Sequence, residues 1–128
     1  MKKTLRVVVL AALAAAVSIL SSCAKPTHQV YFKVTGTSVS TDVDYAIYSS
    51  NGLLSSTLNS ADTTVTSLPW SSETMTVSQD QVANVNVYIS DAVTSSPSVT
   101  VQIYSDGSVV KSASCTGNNS SASARVTF

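Results

Sequence analysis

Charge is scarce in this 128-residue chain: Asp, Glu, Lys and Arg together make up 11% of it and cancel to a formal net charge of zero. A single histidine, His28, and a single glutamate, Glu73, leave little material for acid–base chemistry. One imidazole cannot complete a His-based metal site, so His28 reads as a solvated linker residue. There is no Gly-rich phosphate loop, no serine in a nucleophile-elbow pattern and no Cys–His couple. These absences predict a protein that is not an enzyme and uses no cofactor. The basic footprint that nucleic acid demands is missing as well, as is a polybasic membrane patch. Asp42 and Asp44 share one strand face, but calcium wants about six to eight oxygen ligands and no Asp-rich loop supplies them. A solvated strand face is the simpler account of that pair. Long apolar runs are absent too. The longest, "VVVLAALAAAVSIL" at residues 7–20, falls short of the roughly 20 residues a bilayer span needs.

What that run does build is a leader. Lys2, Lys3 and Arg6 make a basic start, the apolar stretch follows, and small residues close it, which is the plan of a secretory signal. The closing residues are Leu20, Ser21, Ser22 and Cys23. "LSSC" in this position resembles the lipobox of bacterial lipoproteins, in which a signal peptidase cuts just before a cysteine that already carries lipid. The resemblance implies that residues 1–22 are removed, that the Cys23 sulfur carries diacylglycerol and that its freed amino group carries a further acyl chain. Several chains, at about 0.8 kcal/mol per buried methylene, hold a protein stably on a membrane where one chain does not. Ala24 stands where the enterobacterial sorting rule would need aspartate for inner-membrane retention, so an outer-membrane address, facing periplasm or cell surface, is expected. Cleavage leaves 106 residues with four basic and seven acidic side chains, a net of −3, enough chain for one domain with a modest core.

The mature chain reads as a tether at 23–28 and a single domain at 29–128. Strand signals recur along it. "QVYFKVT" (29–35) and "DVDYAIY" (42–48) alternate, placing Val30, Phe32 and Val34, then Val43, Tyr45 and Ile47, on one side. Asn51-Gly52 reads as a hairpin turn, followed by a weaker strand over residues 53–58 and then "TTVTSL", closed by Pro69. "ETMTVS", "NVNVYIS" and "SVTVQIY" alternate again; Asp106-Gly107 is a second hairpin signal before "SVVKSASC", and "ASARVTF" ends the chain. Seven to nine short strands with no helical period predict an antiparallel β-sandwich, immunoglobulin-like in outline, with a small closed barrel as the alternative.

Two features stand out as candidate partner-binding elements. Parity puts Tyr31, Tyr48, Tyr88 and Tyr104 on the face away from the aliphatic row of their strands. They are either cross-strand aromatic pairs on an outer sheet face or a docking surface, since tyrosine is enriched where proteins meet. Trp70, the only tryptophan, is either a core plug or an exposed anchor. Cys115, left alone once Cys23 is acylated, is expected to be a small apolar core residue, because no Lys, Arg or His lies within three positions to activate it.

"VYFKVTGT" (30–37), "SLPW" (67–70), "ETMTVS" (73–78) and "VQIYSDGSVVKS" (101–112) follow one another in an order and spacing that resemble the MmpS family of small mycobacterial membrane proteins. The likeness spans most of residues 30–117. It implies an all-β extracytoplasmic domain and a non-enzymatic accessory to an MmpL-type exporter of the RND superfamily, helping lipids or siderophores leave the cell. The chain departs from the family in two respects. A lipobox stands where the family has a transmembrane helix, and Val101 stands where it has a cysteine. The rival expectation is a surface adhesin or glycan-binding lipoprotein that uses the outward tyrosines as its platform.

Overall fold

The computed structural model describes residues 24–38, 40–49, 57–90 and 96–128, with the backbone alone at 57–60. Cys23, the leader and the Asn51-Gly52 turn lie outside the described residues. Nine strands are present among the described residues: β1 (Thr27–Gly36), β2 (Thr41–Ser49), β3 (Thr57–Val65), β4 (Trp70–Ser71), β5 (Met75–Ser78), β6 (Gln81–Ile89), β7 (Ser98–Ser105), β8 (Ser108–Thr116) and β9 (Ser121–Thr127). They form two packed antiparallel sheets, a β-sandwich as the alternation predicts. No helix among the described residues is long and apolar enough to cross a membrane.

The first sheet runs β4-β1-β7-β8, with β5 following β4 along the same strand; the second runs β3-β2-β6-β9. The second order matches the C′-C-F-G sheet of immunoglobulin variable domains, with one departure. Between β6 and β9 the chain crosses to the first sheet and makes the β7–β8 hairpin there. Asp106 (φ 51°) and Gly107 (φ 83°) form that hairpin's turn, the two positive φ values being what an Asp-Gly turn accommodates.

Every alternating segment puts its apolar parity inward. Val30, Phe32 and Val34 of β1, Val43, Tyr45 and Ile47 of β2, Val85, Val87 and Ile89 of β6, and Val99, Val101 and Ile103 of β7 are all buried in one core. Burying a side chain the size of Phe32 stabilises by about 1.5–3 kcal/mol before conformational entropy is set against it. The first sheet's edge is broken between β4 and β5, where Ser72 bridges the gap. Its backbone N–H donates to the Phe32 carbonyl at 3.0 Å, and its hydroxyl accepts the Phe32 N–H at 2.9 Å. At the end away from the N-terminus, Gly36 (φ 150°) lies so close to β7 that a Cβ there would collide with the Ser98 carbonyl.

Two boundaries differ from the sequence reading, and one pairing is new. β1 begins at Thr27, so residues 27 and 28, read as tether, are strand. "TTVTSL" does not persist to Pro69: β3 stops at Val65 and residues 66–69 bend across to the first sheet. The "ETMTVS" strand pairs with β1 and not with the segment that follows it in sequence, because the Gln79-Asp80 turn carries the chain from one sheet to the other.

The registers define two ends. The root holds the start of β1, the β7–β8 turn and the β5–β6 turn, since Thr27 faces Ser78 and Val30 faces Ser105. The distal end holds Gly36 opposite Val99 and Thr41 opposite Ile89.

Candidate binding surfaces

The four outward tyrosines do point away from the core, but they do not form one row. Their strands belong to different sheets, so they divide between opposite faces of the sandwich. Sequence parity gives inside versus outside; it cannot say which sheet a strand joins.

On the first sheet Tyr31 and Tyr104 are directly opposite one another. Their rings stack with centroids 4.6 Å apart and planes 11° apart. Side chains stand upright on a sheet, so each ring covers one flat side of the other and the pair offers edges and hydroxyls to solvent. Around it lies a nearly uncharged field. Gln29 donates to Thr76 Oγ1 at 3.2 Å, and the Thr100 and Ser114 hydroxyls are 2.8 Å apart.

On the second sheet Tyr48 and Tyr88 are at opposite ends. Tyr48, near the root, lies under the Arg125 guanidinium, 5.3 Å from ring centroid to Cζ. Tyr88, distal and 40% exposed, donates its hydroxyl to Asn119 Oδ1 at 2.8 Å. Beside it sit three carboxylates. Asp42 is opposite Tyr88 on one side and Thr64 on the other, and Asp44 is opposite Asn86 and Asp62. Thr64 donates to Asp42 Oδ1 at 2.8 Å. The sequence reading paired Asp42 with Asp44 and missed Asp62, whose even-numbered parity on β3 was obscured by splitting that segment in two. These residues border a shallow depression of about 160 Å³. Among the described residues no group of three or more His, Cys, Asp or Glu side chains is gathered tightly enough for a metal ion.

Trp70 lands between the two readings given for it. It is half-buried, its ring centroid 6.1 Å from that of Tyr45, and it packs against the core from the open side of the sandwich. Burial and the nearby negative charge of Glu73 both raise the Tyr45 phenol's pKa, burial more strongly. Lower on that side, an open cleft of about 410 Å³ is bordered by Ile47, Glu73, Met75, Thr76, Ser78 and Gln81 among others. Cys115 is half-buried on β8 against the core, and burial raises its pKa, which disfavours the thiolate and with it a nucleophilic role.

His28 is not the solvated linker residue its position suggested. It is part of β1, with Nδ1 2.7 Å from Asp106 Oδ2 and its ring 5.1 Å from Phe128. Asp106 also accepts the Gln29 N–H at Oδ1, 2.9 Å, and donates its own N–H to the Gln29 carbonyl at 2.9 Å. The Gln29 backbone donor, then His28 and Ser105, hold the Asp106 carboxyl below its ordinary pKa. A carboxylate only accepts, so His28 Nδ1 carries the shared proton. Lys25 reaches Asp80 at 2.8 Å, and the Pro26 carbonyl accepts the Gln79 N–H at 3.1 Å. The chain is therefore fastened to the domain from Lys25 onward.

No protein-family model matches this chain, and no curated protein is significantly similar to it.

Proposed function

We propose that this protein is a lipid-anchored component of a bacterial cell envelope that works by binding a partner. The observation carrying this reading is "LSSC" at the close of a signal-like leader, four residues before the first strand of a β-sandwich. The test is acylation in cells. Wild-type protein should incorporate labelled palmitate, whereas Cys23→Ala should accumulate as an unlabelled, uncleaved precursor. Label that persists in the variant refutes the anchor.

The role suggested by the MmpS resemblance is that of an accessory to an RND-type exporter, and it rests on four short sequence blocks. The alternative is a glycan-binding adhesin. Affinity capture of the full-length protein from detergent-solubilised membranes separates the two. Stoichiometric recovery of an RND transporter supports the accessory role; recovery of the lipoprotein alone, with retention on a glycan array, supports the adhesin.

A further inference from the structure

The β7–β8 hairpin exposes two consecutive valines, Val109 and Val110, at 45% and 44%. Neighbours in a regular strand alternate between faces, so one of the two should turn inward. This end of β8 is exposed throughout residues 108–112, and a bulge falls between the two valines and Lys111. Ile103 pairs with Lys111 and Tyr104 pairs with Val109, leaving Val110 as the extra residue, and a bulge of this kind re-aims side chains at a sheet's rim. Val109 sits directly beside Tyr104, which stacks on Tyr31. Valines and paired tyrosines thus make one continuous ridge at the root.

The root is also where the chain leaves for its anchor. Cys23 precedes Pro26, the first residue whose backbone is bonded to the domain, by three positions, which spans at most about 10 Å. A tether that short holds the root against the headgroup layer. The charges are arranged to suit. Lys111 and Arg125 lie in the root half; of its described carboxylates, Asp80 and Asp106 are engaged by Lys25 and His28, and Glu73 lies between β4 and β5, at the edge of the first sheet opposite β8. The carboxylates of Asp42, Asp44 and Asp62 are gathered in the distal half, away from an anionic surface.

We propose that the Val109–Val110 tip, with the Tyr104–Tyr31 pair behind it, rests in the headgroup layer of the bilayer that holds this chain's own lipid. The proposal rests on the anchored reading above. Exposed aliphatic side chains enter the boundary of the acyl region, tyrosines sit at headgroup level, and flanking cations meet lipid phosphates. The domain then stands upright on two supports, the acyl chains and the valine tip, with its acidic distal face turned outward.

The experiment uses full-length lipidated protein in vesicles of phosphatidylethanolamine and phosphatidylglycerol. With Cys115→Ser removing the native thiol, an environment-sensitive dye is attached at Val110→Cys, or at Asn119→Cys on the distal end as reference. The dye at 110 should shift to the blue and lose most of its emission to nitroxide-labelled lipid, while the dye at 119 should do neither. Equal solvent exposure at both positions overturns the proposal. A blue shift at 110 without lipid quenching also overturns it, since a protein partner would then be covering the tip. Cys115→Ser alone serves as the control for the anchor. Acylated Cys23 has no free thiol, so dye uptake by that chain overturns the anchored reading and this proposal together.

Discussion

The two ends of the sandwich are held by different means. At the root, side-chain ion pairs add to the backbone hydrogen bonds: Lys25 grips Asp80, His28 grips Asp106 and lies against Phe128, while the Pro26 and Gln29 carbonyls accept the Gln79 and Asp106 N–H groups. At the distal end uncharged groups close the structure, with Gly36 pressed onto Ser98, the Thr37 N–H donating to the Ser98 carbonyl at 2.9 Å and the Ser40 and Ser90 hydroxyls 3.0 Å apart. Side-chain ion pairs on a surface are adjustable and screened by solvent; backbone in direct contact has no slack. The comparison teaches where the molecule tolerates change. Its root can respond to charge and pH, and its distal end answers to geometry.

The largest expected effect tests the distal half of that contrast. Gly36→Ala should cost about 3 kcal/mol or more, because the new methyl meets backbone that cannot move aside and φ there is unfavourable. Gly107→Ala in the root hairpin meets open space and should cost only about 1 kcal/mol, from its positive φ. Urea unfolding of the two variants decides this, and equal costs would break the comparison.

Next in size is the tyrosine stack, which sits on the first sheet toward the root. A double-mutant cycle with Tyr31→Ala and Tyr104→Ala should give a coupling of about 0.5–1.5 kcal/mol. Additive single effects would mean that the rings do not hold each other.

The pH response of the root follows from Asp106. Its folded pKa is lowered, so its contribution is fully present above its ordinary pKa of 3.8 and fades as pH falls through the lower folded value. Thermal melts should show wild type more stable than Asp106→Asn at pH 6, with the gap narrowing below about pH 4. A gap that is unchanged down to pH 2 would remove the carboxylate from the clasp.

The smallest effect lies on the acidic distal face. Asp44 and Asp62 are directly opposite across β2 and β3, and like charges so placed oppose folding. Asp62→Asn should stabilise by a few tenths of a kcal/mol at low salt, and the gain should vanish at high ionic strength.

The sandwich was legible from the chain because period-two alternation is written locally. Val30-Phe32-Val34 and Val43-Tyr45-Ile47 face inward whatever their partners turn out to be. The Asp106-Gly107 turn was legible for the same reason, since its φ values are a property of those two residues. His28 was misread because its character depends on Asp106, 78 positions away in sequence. The tyrosines were misgrouped because sheet membership is a matter of pairing. That β5 pairs with β1 was not legible either, because alternation names no partner strand.

By itself, then, the sequence determined most of the strand positions, the inward faces and the scarcity of catalytic side chains, since each depends on composition or on neighbours one or two positions apart. Only the tertiary structure decided that the tyrosines sit on opposite faces, that Asp62 joins Asp42 and Asp44, that His28 clasps Asp106, and that Val109 and Val110 are exposed beside a bulge at the root. Those outcomes depend on which strands pair and in what register, and pairing is chosen by the packing of the whole core.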